Sequence, residues 1–129
     1  MSDRKRGSYH LDFEDVKKSF GSGNYIRASC MWYSIFKRER ENGRVDKEFP
    51  DSFIDLGLEV NEKAFTEMYV HNMACGSFES DTHIIYDSYI DSMILKLGKK
   101  VNDETVKGLL KKLSKVRGMM SELRETFNL

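Results

Sequence analysis

Apolar residues recur along this chain at three- and four-residue intervals, and the runs break at glycine, asparagine and serine. Phe13, Val16 and Phe20 stand at i, i+3 and i+7, which predicts a short helix over about 12–20 ended by Gly21. Ser22, Gly23 and Asn24 read as a turn, with Asn24 the cap of a helix over 25–41. That helix is apolar nearly all round at its centre, through Ile26, Cys30, Met31, Trp32, Tyr33, Ile35 and Phe36, so it belongs at the middle of a core. Its last turn, Lys37-Arg38-Glu39-Arg40-Glu41, emerges into solvent and sets bases at the negative end of the helix dipole. Residues 43–50 read as a loop ending at Pro50. Asp51 then caps a short turn carrying Phe53, Ile54 and Leu56, which Gly57 closes. Asn61 caps a helix over 62–75 stopped by Gly76, Ser80 or Asp81 caps one over 82–97 stopped by Gly98, and Asn102 or Asp103 starts the last, over about 103–127. No convincing strand is present. The expectation is an all-α, single-domain helical bundle of five to six helices over 11–129, preceded by a mobile basic N-terminal arm, 1–10.

The clearest periodicity is Val106, Leu109, Leu113, Val116, Met120, Leu123 and Phe127, an a/d seam along a helix of about 37 Å. Every charge at its e and g positions (Lys112, Arg117, Arg124) is basic, so a symmetric two-stranded coil would set Lys112 near Arg117 of its mate. Leu110 and Met119 also widen the apolar face. A symmetric coiled-coil dimer is disfavoured, and packing against the helix over 82–97 is expected. That helix offers Tyr86, Ile90, Met93 and Leu97, flanked by Asp87 and Asp91. The short connection over 98–102 makes the two antiparallel neighbours. A helical-repeat array of the tetratricopeptide kind is excluded, because at a 34-residue offset Tyr25 and Ala28 meet Glu59 and Glu62.

Charge changes this picture. The chain has 129 residues, with 21 basic and 21 acidic, and a net charge of zero. That excludes a uniformly basic nucleic-acid coat and a polyacidic mimic. The zero is uneven: residues 1–44 carry net +4, residues 45–95 net −9 and residues 96–129 net +5. Either the middle pairs internally with the ends, or a block of one sign faces a partner of the other. The candidate basic surface, for an acidic protein or for nucleic acid, comprises Arg4, Lys5 and Arg6 with Lys107, Lys111, Lys112, Lys115 and Arg117. Of these, Lys107, Lys111 and Lys115 form one stripe at i, i+4 and i+8. The candidate acidic surface is Asp46, Glu48, Asp51, Asp55, Glu59 and Glu62.

Catalytic chemistry is weakly represented. Glu67 and His71 lie one turn apart on one expected helix, and His83, Asp87 and Asp91 on the next, so a hairpin could bring them together for a metal-dependent hydrolase. Their spacing matches no metal signature. Cys30 and Cys75 are expected as free, buried thiols. No phosphate-binding glycine loop, secretory leader or membrane span is found, so a cytoplasmic location in a reducing compartment is expected. The expected function is non-enzymatic: a regulatory, adaptor or inhibitor protein, a phage or viral factor among the options, binding a protein partner through charged surfaces. Nucleic-acid binding is the alternative, and no cofactor is expected.

Overall fold

The computed structural model describes residues 13–129. Among them the chain forms helices and no strand. Helix α1 covers 13–21 of the described residues. It is followed by α2 (Tyr25–Glu41), a 3-10 turn (Asp46–Glu48), α3 (Asp51–Cys75), α4 (Asp81–Leu97) and α5 (Asp103–Phe127). Fold class and the long C-terminal helix are as expected. The basic triplet Arg4, Lys5 and Arg6 lies outside the described residues.

One expected break is not there. Residues 51–75 form a single helix of 25 residues, where the sequence pattern gives a short turn, a stop at Gly57 and a new cap at Asn61. Both signals have another cause. Gly57 is a packing notch: a Cβ there would lie 2.3 Å from the Trp32 ring. The indole lies across this gap and donates from Nε1 to the Phe53 carbonyl at 2.8 Å. Asn61 is fully buried and acts as a polar node. Its Oδ1 accepts from the Ser29 hydroxyl at 2.5 Å and the Ser88 hydroxyl at 3.0 Å, and its amide donates to the Ser88 carbonyl at 3.1 Å and the Ser92 hydroxyl at 3.3 Å. Glycine's low helix propensity, about 1 kcal/mol, is outweighed by the packing it permits.

The Asn61 node joins α2, α3 and α4 and sits where two apolar clusters meet. One is aromatic: Trp32 stacks on Phe53 with centroids 4.8 Å apart and on Phe36 at 5.6 Å, and Phe49 closes the group. Val16 of α1 belongs to it. The other cluster joins Phe65, Met68, Ile85, Tyr89 and Met93 to Leu109, Val116, Met120 and Leu123 of α5. The heptad seam is therefore spent inside the chain. Val106, Leu113 and Phe127 are half-buried and the other four seam residues buried, whereas Leu110 is 53% exposed.

Capping is mixed. Asn102 caps α5 by accepting from the Thr105 N–H at 2.8 Å. Asn24 and Ser80 precede their helices without a side-chain cap bond, and Pro50, not Asp51, is the cap of α3. Gly76 ends α3 in the left-handed region at φ 67°.

Candidate functional site

The charged surface is built by the 3-10 turn and α3, and by bases that reach the turn from α2, and α3 from the C-terminal part of the chain. Asp46 takes two bonds from Arg40, at 2.6 and 3.0 Å. Asp55 accepts from Lys96 at 2.7 Å, Glu62 meets Lys112 at 3.3 Å, and Asp51 lies 3.9 Å from Lys99. Lys99 also donates to the carbonyls of Lys47 and Phe49 at 2.8 and 2.6 Å, which ties the loop before α3 to the end of α4. Four of the six acids in the 46–62 stretch thus face bases from the flanking blocks. Glu48 and Glu59 are exposed and form no ion pair among the described residues. These are surface pairs, worth about 0–1 kcal/mol each. They neutralise the acidic block more than they hold the fold.

The basic side of α5 is arranged differently. Lys112 points toward α3 and is used on Glu62. Arg117 is exposed and lines a cleft with Asp87 and Asp91. Lys107, Lys111 and Lys115 are exposed on the side opposite the seam, without an ion pair or hydrogen bond among the described residues. They span about 12 Å of helix. A Cβ at Gly108 or Gly118 would meet nothing within 4 Å, so the backbone beside the stripe is bare. Glu104 stands on the same face at its start, two turns before Lys111, while Glu122, two turns after Lys115, is turned toward α3, where it accepts a hydrogen bond from the Tyr69 hydroxyl.

The residues considered for a metal do not converge. Among the described residues no group of three or more His, Cys, Asp or Glu side chains could hold a metal ion. His71 lies 3.8 Å from Glu79 and His83 stands edge-on to Phe78 with centroids 5.0 Å apart, both at the chain's turn from α3 to α4. Asp87 and Asp91 instead face α2 and α5 around one cleft. Asn72, not a ligand, fills the space between α3 and α4 at this turn: it donates to Thr82 at 2.8 Å and accepts from the Glu79 N–H at 3.1 Å, and Asp87 and Asp91 follow His83 one and two turns further along α4.

Cys75 is exposed rather than buried, and Cys30 is half-buried. Burial, then the charge of Asp81, pushes the Cys30 thiol above its ordinary value. Cys75 Sγ is 3.7 Å from His71 Nδ1. With Glu79 beyond the imidazole this has the order of a nucleophile, a base and an orienting acid. His71 and Glu79 are each about half exposed, at 50% and 49%, so water surrounds all three groups and nothing encloses a substrate.

Sequence reasoning missed one electrostatic feature. Tyr33 on α2 donates to Asp91 on α4 at 2.9 Å. Burial is the main reason that the Asp91 carboxyl is held above the usual range, with Asp87 and Asp46 adding to it. The Tyr33 hydrogen bond and Arg40 pull the other way. Burial, followed by the bond to Asp91, pushes the Tyr33 phenol well up. The signal in the sequence was only an aromatic on a helix apolar all round. No helix of the described residues is long and apolar enough to cross a membrane. Compared with protein families, curated proteins and solved structures, the chain matches none.

Proposed function

We propose that this protein is a non-enzymatic binding protein whose contact surface is the outward face of α5, and that its partner is a compact acidic patch on another protein. The observation that carries this reading is the contrast between the acids and the lysines. Asp46, Asp51, Asp55 and Glu62 each face a base of the same chain, while Lys107, Lys111 and Lys115 face water. Three like charges in one line keep a favourable interaction open for an anionic surface. Glu104 at the start of that line favours a short acidic patch over a continuous phosphate backbone, which would run on into its carboxylate. A regulatory, adaptor or inhibitor role follows from binding without catalysis, in a cytoplasmic setting.

Charge reversal at Lys111 and Lys115 is the test, with reversal at Asp51 and Asp55 as the comparison. Fluorescence anisotropy with a labelled poly-glutamate peptide and with a labelled DNA duplex, at about 50 mM salt where phosphate contacts are strongest, reads the two partner chemistries. The peptide is expected to bind the wild type, and to lose at least about tenfold in affinity with K111E/K115E. It should be bound at least as well by D51K/D55K. Preference for the duplex would replace the acidic protein with nucleic acid. Equal affinity of all three proteins for the peptide would remove the α5 face from the account.

A further inference from the structure

Helix α4 carries large apolar side chains round most of its circumference, with Asp87 and Asp91 among them on one side. Ile85, Tyr89, Met93 and Leu95 are buried, and Tyr86, Ile90 and Leu97 are half-buried, yet Ile84 and Ile94 remain 42% and 50% exposed. A helix of that kind is expected to be covered all round. Here α3 covers one side, α2 a second and α5 a third. The fourth side, on which Asp87, Ile90, Asp91 and Ile94 follow one another at helical spacing, is open. It forms the floor of a cleft of about 430 Å³ between Tyr33 of α2 and Leu113 and Arg117 of α5. Ile94 continues into a second cleft, of about 670 Å³, with Val45 on its rim. Val45 is 47% exposed, and Leu110, a turn from Leu113 and two turns from Arg117, is 53% exposed. Three of the most exposed large apolar side chains therefore border one groove about 20 Å long. Such concentration marks an interaction surface, whereas single exposed apolar residues mark nothing.

The charges along the groove select what fills it. From its start to Lys96, α4 carries acids and His83 and no lysine or arginine. Asp87 is exposed and forms no ion pair among the described residues. Asp91 is half-buried, accepts a hydrogen bond from the Tyr33 hydroxyl and feels the charge of Arg40, but forms no ion pair within 4 Å among the described residues. Arg40, the nearest α2 base, is engaged bidentately by Asp46. Among the described residues, Arg117 on the α5 rim is the one cation lining the cleft between Tyr33 and Leu113, whereas Arg40, Arg44 and Lys47 line the second cleft beside Val45, so the acidic part of the groove is the Asp87–Asp91 stretch. A second copy packed α4 on α4 about Ile90 and Ile94 would bring Asp91 close to the same acid of its mate, a like-charge contact. We infer that the groove over α4 is the docking site for an amphipathic helix of another protein, with an apolar stripe on Ile90, Ile94 and Leu113 and a basic edge against Asp87 and Asp91. This is helix-in-groove recognition, in which apolar anchors supply affinity and the flanking charges set partner and direction. It is independent of the α5 lysine face.

The test uses the full chain, isotope-labelled for amide NMR, and two synthetic helical peptides of ~18 residues. Both carry a leucine stripe; one has lysine and the other glutamate on the polar flank. The lysine peptide should shift amides within 86–94 and 110–117. Ile94→Asp and Leu110→Asp should each weaken it at least about tenfold. Both side chains are exposed, so the variants should melt with the wild type, and the leucine-to-aspartate change gives a second reading if one variant fails to fold. K111E/K115E should leave lysine-peptide binding unweakened, which separates this groove from the α5 face. The inference is overturned if the shifts fall elsewhere, if both variants bind as the wild type does, or if the glutamate peptide shifts the groove equally. It is also overturned if sedimentation shows a dimer whose dissociation is required to open the groove.

Discussion

Gly57 illustrates how a residue's meaning depends on what it faces. In sequence it reads as a helix stop, and in the structure it is the gap that admits Trp32. The indole cannot retreat easily, because it stacks on Phe36 and Phe53 and is bonded to the Phe53 carbonyl. Gly57→Ala improves helix propensity yet should destabilise the protein by about 1–3 kcal/mol through overpacking. A denaturant titration showing increased stability would contradict this packing. Asp91 gives a prediction with a pH signature. Its carboxyl is raised in the folded state, chiefly by burial. The folded state therefore binds that proton more tightly than the unfolded chain does. The resulting stabilisation is fully present below the ordinary aspartate range and is lost as pH rises through the raised value. Asp91→Asn keeps an acceptor for the Tyr33 hydroxyl and removes the buried charge. It should raise the melting temperature at neutral pH and change it little near pH 3. An equal shift at both pH values would mean that the charge is not the cause.

At the scale of elements, the sequence was most legible where apolar periodicity ran long. The span of α5 and its seam were readable because seven apolar residues alternate at three and four, and a bundle and a coiled coil require the same stripe. The choice between them rested on Lys112 and Arg117, and the seam is indeed buried within the chain. The continuity of α3 was not readable. Glycine and asparagine are ordinary punctuation, and only the long-range partners Trp32, Ser29 and Ser88 reveal their packing and polar roles. The exposure of Cys75 was hidden for a related reason: the turn at Gly76 takes the end of α3 beyond the core. Gly108 and Gly118 lie on the exposed side of α5. Nothing within the chain approaches either position, so Gly108→Ala and Gly118→Ala should each stabilise the fold by about 1 kcal/mol. A loss of stability in thermal melts would show that the bare face has a structural purpose inside the chain.

For the whole molecule, the uneven charge blocks were visible in sequence, but their geometry was not. A count gives +4, −9 and +5 without saying that Lys96 finds Asp55 or that Lys99 finds Asp51 across the fold. Those pairs bring acids of the middle block beside bases of the C-terminal one, as Arg40 does for Asp46 from the N-terminal one. The candidate stripe on α5 was legible, since i, i+4, i+8 spacing fixes a helix face. The groove over α4 was not, because it depends on α2 and α5 both leaving one side of α4 uncovered. The central claim is that the Lys107, Lys111 and Lys115 face is a binding surface left open by this internal pairing. Its most direct measurement is the affinity of an acidic peptide for the wild type and for K107E/K111E/K115E across a salt series. Tight binding at low salt is expected, with a steep fall as salt rises, and no measurable binding or salt slope in the triple variant. Affinity and slope that survive the triple reversal would contradict it.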